Sequence, residues 1–300
     1  MRNARALGGE AARWLDDLPN LLAELRCEWG FTLGRPLSGG NSAFVAEVTT
    51  AQGEPAVLKA AIAGYEPLAG EARTLELAGG RGYARLLRSD LRRGVLLIER
   101  LGAPVSSRGL SVDRQIEVLC EALRQAWRPL EDPGGLQTGV DKADWHEAFL
   151  QESWEALGRP CPEWLVAHAI TLCGRRRAAY APQGSLLLHG DPHEENALAD
   201  PLRPGAWRFV DPDGLFAEPA YDLAVLMRGW TEEILAGDPV EAGRARCRRL
   251  AELAAQPAAA IWEWGIIERV STGLLLIKLE AQARGSAMLQ VAQAWAAADA

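Results

Sequence analysis

The chain has 300 residues, 48% of them hydrophobic, a mean hydropathy of −0.08, and a formal net charge of −8 from 32 Lys and Arg against 40 Asp and Glu. A chain of this size can bury one large core or two modest ones, and an acidic balance repels nucleic acid and anionic membranes while drawing cations. Its longest apolar runs, such as Leu186–Leu188 and Leu274–Ile277, fall far short of the roughly 20 residues that span a bilayer, and no export-type apolar stretch opens the chain, so a cytoplasmic protein is expected.

Residues 9–29 read as a helix broken at Pro19. From Phe31 the character changes to short β-type segments, FTLGRPL, AFVAEVTT, PAVLKA, ARLLRSD and GVLLIER, punctuated by Gly, Pro, Asp and Ser. One helical segment, GYEPLAGEARTLELAGG, falls between the third and fourth and closes on a glycine pair suited to a C-cap. Beyond Leu101 the pattern is helical. SVDRQIEVLCEALRQAW starts at an N-cap serine, Ser111, and carries Ile116, Leu119 and Leu123 on one face. ADWHEAFLQESWEAL, EWLVAHAITLCGRRRAAY and a long stretch over 257–284 repeat the pattern, with β-like islands at 185–190 and 206–214. The expected architecture is α+β and bilobal: a small antiparallel five-stranded lobe with one helix over residues 1–98, a linker over 99–104, and a helical lobe over 105–300. Five scattered cysteines without CxxC spacing suggest neither a disulfide framework nor a zinc site. The Arg-rich runs 175–177 and 244–249 read as solvated helix faces, and the chain as a monomer or weak dimer.

The most informative segment is His189-Gly190-Asp191-Pro192-His193-Glu194-Glu195-Asn196, followed by Asp211 in FVDPDG. A tight turn carrying one carboxylate and, five residues on, one amide oxygen supplies a proton acceptor and a hard metal ligand. A second carboxylate at a nearby strand end completes a site suited to magnesium, which takes few protein oxygens and keeps its waters. That is what phosphoryl transfer to a hydroxyl requires.

The HGDxHxxN pattern and the downstream hydrophobic-Asp segment resemble the aminoglycoside phosphotransferase family, a branch of the protein-kinase-like fold. The resemblance implies ATP and Mg2+ as cofactors, Asp191 as the base facing the acceptor hydroxyl, Asn196 and Asp211 as metal ligands, and His189 and His193 as braces of the loop. It also implies that Asp222, in EPAYDLAVLMRGW, braces the loop from a helix start. Pro192 departs from the apolar residue more usual there, but leaves the carboxylate and the amide in place. Ser38, Gly39, Gly40 and Asn41 stand where a kinase places its phosphate-covering loop, although a plain hairpin fits the same residues. Lys59 in AVLKA can neutralise phosphate oxygens if Glu71, or failing that Glu66, fixes it; a surface lysine is the alternative. Glu99 and Leu101 lie where backbone groups would read adenine. Asp213 either approaches a second metal or caps a turn.

The segment from Glu218 through Leu253 and the N-terminal helix resemble the streptomycin 6-kinase and hydroxyurea phosphotransferase subgroup, which implies a cationic small-molecule acceptor. Trp230, Glu232, Glu233, Trp264 and Glu268 could offer carboxylates and indole faces to guanidinium groups, Asp213 could join them, and Trp262 and Glu263 lie beside them; core packing is the alternative for each tryptophan. Three functions are consistent with these residues: an antibiotic kinase, a metabolic kinase for a small alcohol such as a sugar, choline or homoserine, and a non-catalytic nucleotide binder. The last is disfavoured because Lys59, Asp191, Asn196 and Asp211 are all present.

Overall fold

A computed structural model describes residues 9–37, 43–62 and 68–299. Helix α1 (Gly9–Trp29) lays Leu18, Leu22 and Leu25, spaced for one helical face, on a sheet of five strands. These are β1 (Thr32–Pro36), β2 (Ala43–Thr49), β3 (Pro55–Ala61), β4 (Leu86–Asp90) and β5 (Val95–Glu99), all paired antiparallel in the order β1-β2-β3-β5-β4. Pro19 does not break α1: the helix runs through it, and burial of leucines on both sides of the proline offsets the lost hydrogen bond.

The alternation of β3 decides where Lys59 goes. Ala56, Leu58 and Ala60 face α1, while Val57 and Ala61 face the larger core on the opposite side. Lys59, odd-numbered like the second set, is therefore aimed at the cleft. Helix α2 (Ala69–Ala78) packs over that second face with Ala72, Leu75 and Ala78, and ends at Gly79, whose φ of 54° suits a glycine cap.

The helical lobe begins with α3 (Val112–Ala126), capped by the Ser111 hydroxyl accepting from the Arg114 N–H. It continues with β6 (Gln137–Thr138), α4 (Gly139–Ala156) and α5 (Glu163–Ala178), then β7 (Leu186–Leu188), β8 (Ala197–Ala199), β9 (Trp207–Phe209) and β10 (Leu215–Ala217). It closes with α6 (Ala220–Arg228), α7 (Thr231–Leu235), α8 (Pro239–Ala254), α9 (Ala258–Lys278) and α10 (Gln282–Ala297). Strands β8 and β9 form a hairpin, while β10 joins β6 in parallel and β7 antiparallel. Helix α9 is the axis of this lobe, packed by α5, α6 and α10, and its Trp262, Trp264, Ile261, Ile266 and Ile267 are buried. The helical pattern over 257–284 is interrupted. Helix α9 stops at Lys278, Glu280 adopts a left-handed φ of 62°, and α10 folds back so closely that a Cβ on Gly285 would lie 2.6 Å from the Gly273 carbonyl oxygen. The two- and three-residue strands β6, β8 and β10 are too short for a periodicity to announce them.

Two buried arginines organise this lobe. Arg269, fully buried, donates to the carbonyls of Met227 (3.0 Å) and Gly229 (3.2 Å) and lies over the Trp295 ring, so its charge, with that of Arg246 at the Gly229 carbonyl (2.9 Å), serves the C-terminal end of α6. Arg208 on β9 forks onto Glu99 at the end of β5, at 2.7 and 3.0 Å, and reaches Asp200 at 3.2 Å. With backbone bonds from Gly102 to Ala199 and from Ala199 to Ala103, this buried ion pair ties the sheet to the helical lobe. Among the described residues no helix is long and apolar enough to cross a membrane.

Candidate active site

The turn after β7 is held from below. Asp222, fully buried in the first turn of α6, accepts hydrogen bonds from the backbone N–H groups of His189 (3.0 Å) and Gly190 (2.8 Å) and from the Trp127 indole (2.8 Å). Burial pushes its carboxyl upward. Gly190 has a φ of +90°, and a Cβ there would stand 2.7 Å from the Asp213 Cβ, so the turn needs glycine for two reasons. Gly190→Ala is expected to lower stability by about 1–3 kcal/mol, from strain and a clash with the neighbouring loop, readable as a shifted urea midpoint at unchanged slope.

The loop's histidines are fixed by their ring nitrogens. His189 is buried; its Nδ1 accepts from the Asp191 N–H (3.0 Å) while its Nε2 donates to the Val210 carbonyl (2.9 Å), a pairing that requires the neutral ring protonated at Nε2. His193 accepts at Nδ1 from the Glu195 N–H (3.3 Å) and turns Nε2 toward the Asp191 carboxylate, 3.4 Å away. The Asn196 amide donates to the Asp191 carbonyl (3.0 Å). The Asn196 carbonyl accepts from the Val210 N–H (3.0 Å), placing this residue beside the strand end that carries Asp211. Asp211 itself is left-handed at φ 61°, a conformation aspartate tolerates better than most residues.

Across the cleft, the Lys59 ammonium bonds the Glu71 carboxylate at 2.6 Å and the Asp211 carboxylate on its other side. Burial alone would lower the Lys59 value, but the two carboxylates raise it, so the charge is retained. Asp191 is flanked by His193 and by Arg228, the last residue of α6. Burial raises its carboxyl, but the Arg228 guanidinium and His193 outweigh that and hold it well below the ordinary carboxylate range. Arg228 also donates to Glu268 at 2.7 Å; buried Glu268 accepts in addition from the Tyr221 hydroxyl and stands 3.2 Å from His146 Nε2. Burial raises the Glu268 carboxyl, and Arg228 and His146 overcome it downward. Burial lowers His146, whose Nδ1 lies 2.8 Å from the Ser271 hydroxyl.

Folded Asp191 and Glu268 thus bind protons more weakly than the values of 3.8 and 4.5 they take when unfolded. Their stabilising contribution is complete above the unfolded values and is lost as the pH falls below them. Asp222, shifted the other way, opposes part of this change. The melting temperature is expected to fall as the pH is lowered from about 5 to about 3, and a flat or rising profile would contradict this pairing.

Two cavities lie side by side. One, of about 360 Å³, is lined by Lys59, Glu71 and Asp211; the other, of about 200 Å³, is lined by Asp191, Arg228 and Glu268. The structure therefore brings His189, Asp191, His193, Asn196, Asp211, Asp213, Lys59 and Glu71 around one cleft, with Asp222 beneath it. Asn196 and Asp211 carry one amide and one carboxylate oxygen, hard donors of the kind magnesium accepts, on segments joined by the Val210–Asn196 backbone bond. Among the described residues there is no cluster of three or more His, Cys, Asp or Glu built for a metal cage.

Glu99 and Leu101 are buried where the two lobes join. The Glu99 carboxylate is committed to Arg208 and Arg85 and its N–H to the Arg85 carbonyl, so neither is open to a ligand. Ser38, Gly39, Gly40 and Asn41 lie outside the described residues, as does Glu66.

Of the residues nominated for the acceptor, Asp213 and Glu268 line the smaller cavity and the others do not. Trp264 is buried and donates to Glu218 at 2.8 Å; Trp230 is covered by the Arg246 guanidinium, which also holds Glu233 at 3.0 Å. Glu232 sits in the first turn of α7, away from the cavity walls, while Trp262 stacks on Trp295 and Glu263 pairs with Arg176. The physical reason is that these tryptophans belong to the hydrophobic face of the bundle, and their neighbouring glutamates compensate its arginines. Sequence reasoning missed Arg228, Lys142, Trp145 and His146. The last three sit with Phe149 on one face of α4 at helical spacing, a polar and aromatic stripe that hydrophobic periodicity treats as ordinary amphipathicity.

The same bilobal, protein-kinase-like fold is seen in an aminoglycoside phosphotransferase crystallised with ADP and hygromycin B. It aligns at a TM-score of 0.60 and 14% identity, over 91% of this chain and 97% of that one. Residues 29–261 match the family described as aminoglycoside/hydroxyurea antibiotic resistance kinase, and the chain belongs to that family. It is 30% identical to the streptomycin 6-kinase of Streptomyces glaucescens over 272 residues, covering 87% of this chain and 84% of that protein. It is 31% identical to the hydroxyurea phosphotransferase of Kitasatospora aureofaciens over 243 residues, 77% of this chain and 69% of the relative.

Proposed function

We propose that the chain is an ATP-dependent O-phosphotransferase that acts on a hydroxyl of a small molecule, an aminoglycoside such as streptomycin being the acceptor its relatives favour. The observation that carries this reading is the meeting of Lys59–Glu71 with Asp211 on one side and Asp191 on the other, in adjoining cavities. In this scheme residues 1–98 form the nucleotide lobe, 99–104 the linker carrying backbone contacts to adenine near Leu101, and 105–300 the acceptor lobe.

Lys59, oriented by Glu71, neutralises phosphate oxygens of the bound nucleotide, and the role of a phosphate-covering loop falls, by sequence position alone, to Ser38, Gly39, Gly40 and Asn41. Asn196 and Asp211 would hold a magnesium ion, which supplies charge neutralisation to the triphosphate. Asp191, ionised at any working pH, accepts the hydroxyl proton as the acceptor oxygen attacks. His189 and His193 keep the Asp191 backbone and carboxylate in place.

One observation favours a second reading, a small neutral or weakly charged alcohol as acceptor. The Asp191 cavity is only about 200 Å³, and its carboxylates Asp191, Asp213 and Glu268 are already paired with Lys142 and Arg228. A polycation would have to present a hydroxyl there with its charged groups outside, against the exposed face of Trp145, which is stacked on Phe149. ADP release measured with ATP, magnesium and a panel of streptomycin, other aminoglycosides, choline, homoserine and simple sugars separates the two. Release above the acceptor-free rate with none of them would defeat the phosphotransferase reading that both share, release with only the small alcohols would overturn the aminoglycoside assignment, and release with streptomycin would support it.

A further inference from the structure

The two cavities share part of their walls. Lys142, Trp145 and Asp213 line both the space beside Asp191 and the space beside Lys59 and Asp211. Lys142 is the one cation of the three. It follows the capping-box residue Asp141 in the first turns of α4, one helical turn before Trp145 and His146. Its side chain is only 12% exposed, its ammonium lies 3.3 Å from an Asp213 carboxylate oxygen, and the rings of Trp145 and Tyr221 stand 5.0 and 5.4 Å away. Asp213 is in turn anchored to the loop of Asp191, its N–H donating to the His189 carbonyl at 2.8 Å. An ammonium has three donors, and Asp213 accepts from one. Arg228, the other cation of the smaller cavity, is already held by Asp191 and Glu268 at its two ends.

We propose that Lys142 is a further catalytic residue, a cation placed at the junction of the two cavities to bind the γ-phosphoryl group while it is in transit. The inference rests on the phosphotransferase reading above. In the step, a bond forms between the acceptor oxygen and the γ-phosphorus, and the bond from that phosphorus to the β,γ-bridging oxygen breaks. The electron pair of the broken bond stays on ADP, and the hydroxyl proton passes to Asp191. During this exchange the three equatorial phosphoryl oxygens carry the charge and move away from Lys59 toward a carboxylate that repels them. A fixed ammonium at the boundary stabilises that arrangement more than the ground state, which is the condition for raising kcat rather than affinity. The two aromatic rings shield the ammonium from water without consuming its donors.

The test is Lys142→Met, which keeps the apolar stem, assayed with whichever acceptor the wild-type chain phosphorylates. The expected result is a kcat lowered about 100-fold with ADP affinity and KM for ATP within about threefold of wild type. The preference for ATP over its γ-thio analogue should shrink as well, because sulfur replaces one of the oxygens that Lys142 binds. A kcat within about threefold of wild type would overturn the proposal, and so would a loss of nucleotide affinity as large as the loss of kcat, which would mark Lys142 as a ground-state or structural residue. If the methionine variant gives no cooperative melt, Lys142→Gln, which keeps length and polarity, is judged by the same criteria. A wild-type chain that releases no ADP with any acceptor would instead defeat the phosphotransferase reading itself, an outcome distinct from a normal Lys142 variant.

Discussion

Replacing Asp191 by alanine is expected to lower turnover by about 10²- to 10⁴-fold while leaving ADP affinity within about threefold of wild type. The split follows from where the carboxylate stands. It lines the cavity that lacks Lys59, Glu71 and Asp211, so the groups proposed to face the triphosphate are untouched by its removal. What is lost is the proton acceptor and the partner of Arg228. Asp191→Asn, which keeps the shape and the contact with His193 but not the basicity, should be nearly as slow, separating deprotonation from positioning. Turnover of either variant within a factor of a few of wild type would remove Asp191 from the mechanism.

The second large effect is on folding. Asp222→Ala is expected to destabilise the protein by about 3–6 kcal/mol, because three donors, the N–H groups of His189 and Gly190 and the Trp127 indole, would lose their shared acceptor in a site closed to water. For a chain of this length that corresponds to a fall in melting temperature of roughly 10 °C or more. Because the donors belong to the loop that carries Asp191, activity should fall even at temperatures where the variant remains folded. A melting temperature within about 2 °C of wild type would show that the loop holds its shape without this carboxylate.

The turn that carries Asp191, the Lys59–Glu71 pair and the change from sheet to helix were legible because each is local or periodic. Lys59 follows from its place at the end of an apolar third strand, Glu71 from lying on the helix that follows it, and the HGDPHEEN turn from a dense run of chemically specific residues. The smaller cavity was not legible, because it is assembled from α4, α6 and α9, whose contributions are far apart in the chain and individually ordinary. Trp264 and Glu268 sit one turn apart on the same helix, yet one packs into the bundle and the other reaches the cavity; only the placement of Arg228 and Tyr221 decides between them. Pro19 misled for a related reason, since a local rule about prolines carries no information about the leucines that α1 buries on the sheet.

The clasp of Glu99 with Arg208 and Asp200 bears on how a nucleotide enters and leaves. Among the described residues two ion pairs join the lobes, and they differ in kind. Lys59 with Asp211 stands at the front, where the Asp211 side chain is 58% exposed and a phosphate can take its place at the ammonium; Glu99 with Arg208 stands at the rear, nearly sealed from water. Parting the rear pair would strand charges in an apolar setting at a cost of about 3–5 kcal/mol, whereas the front pair can swap partners cheaply. The molecule should therefore gape only at its mouth, pivoting on the sealed rear pair.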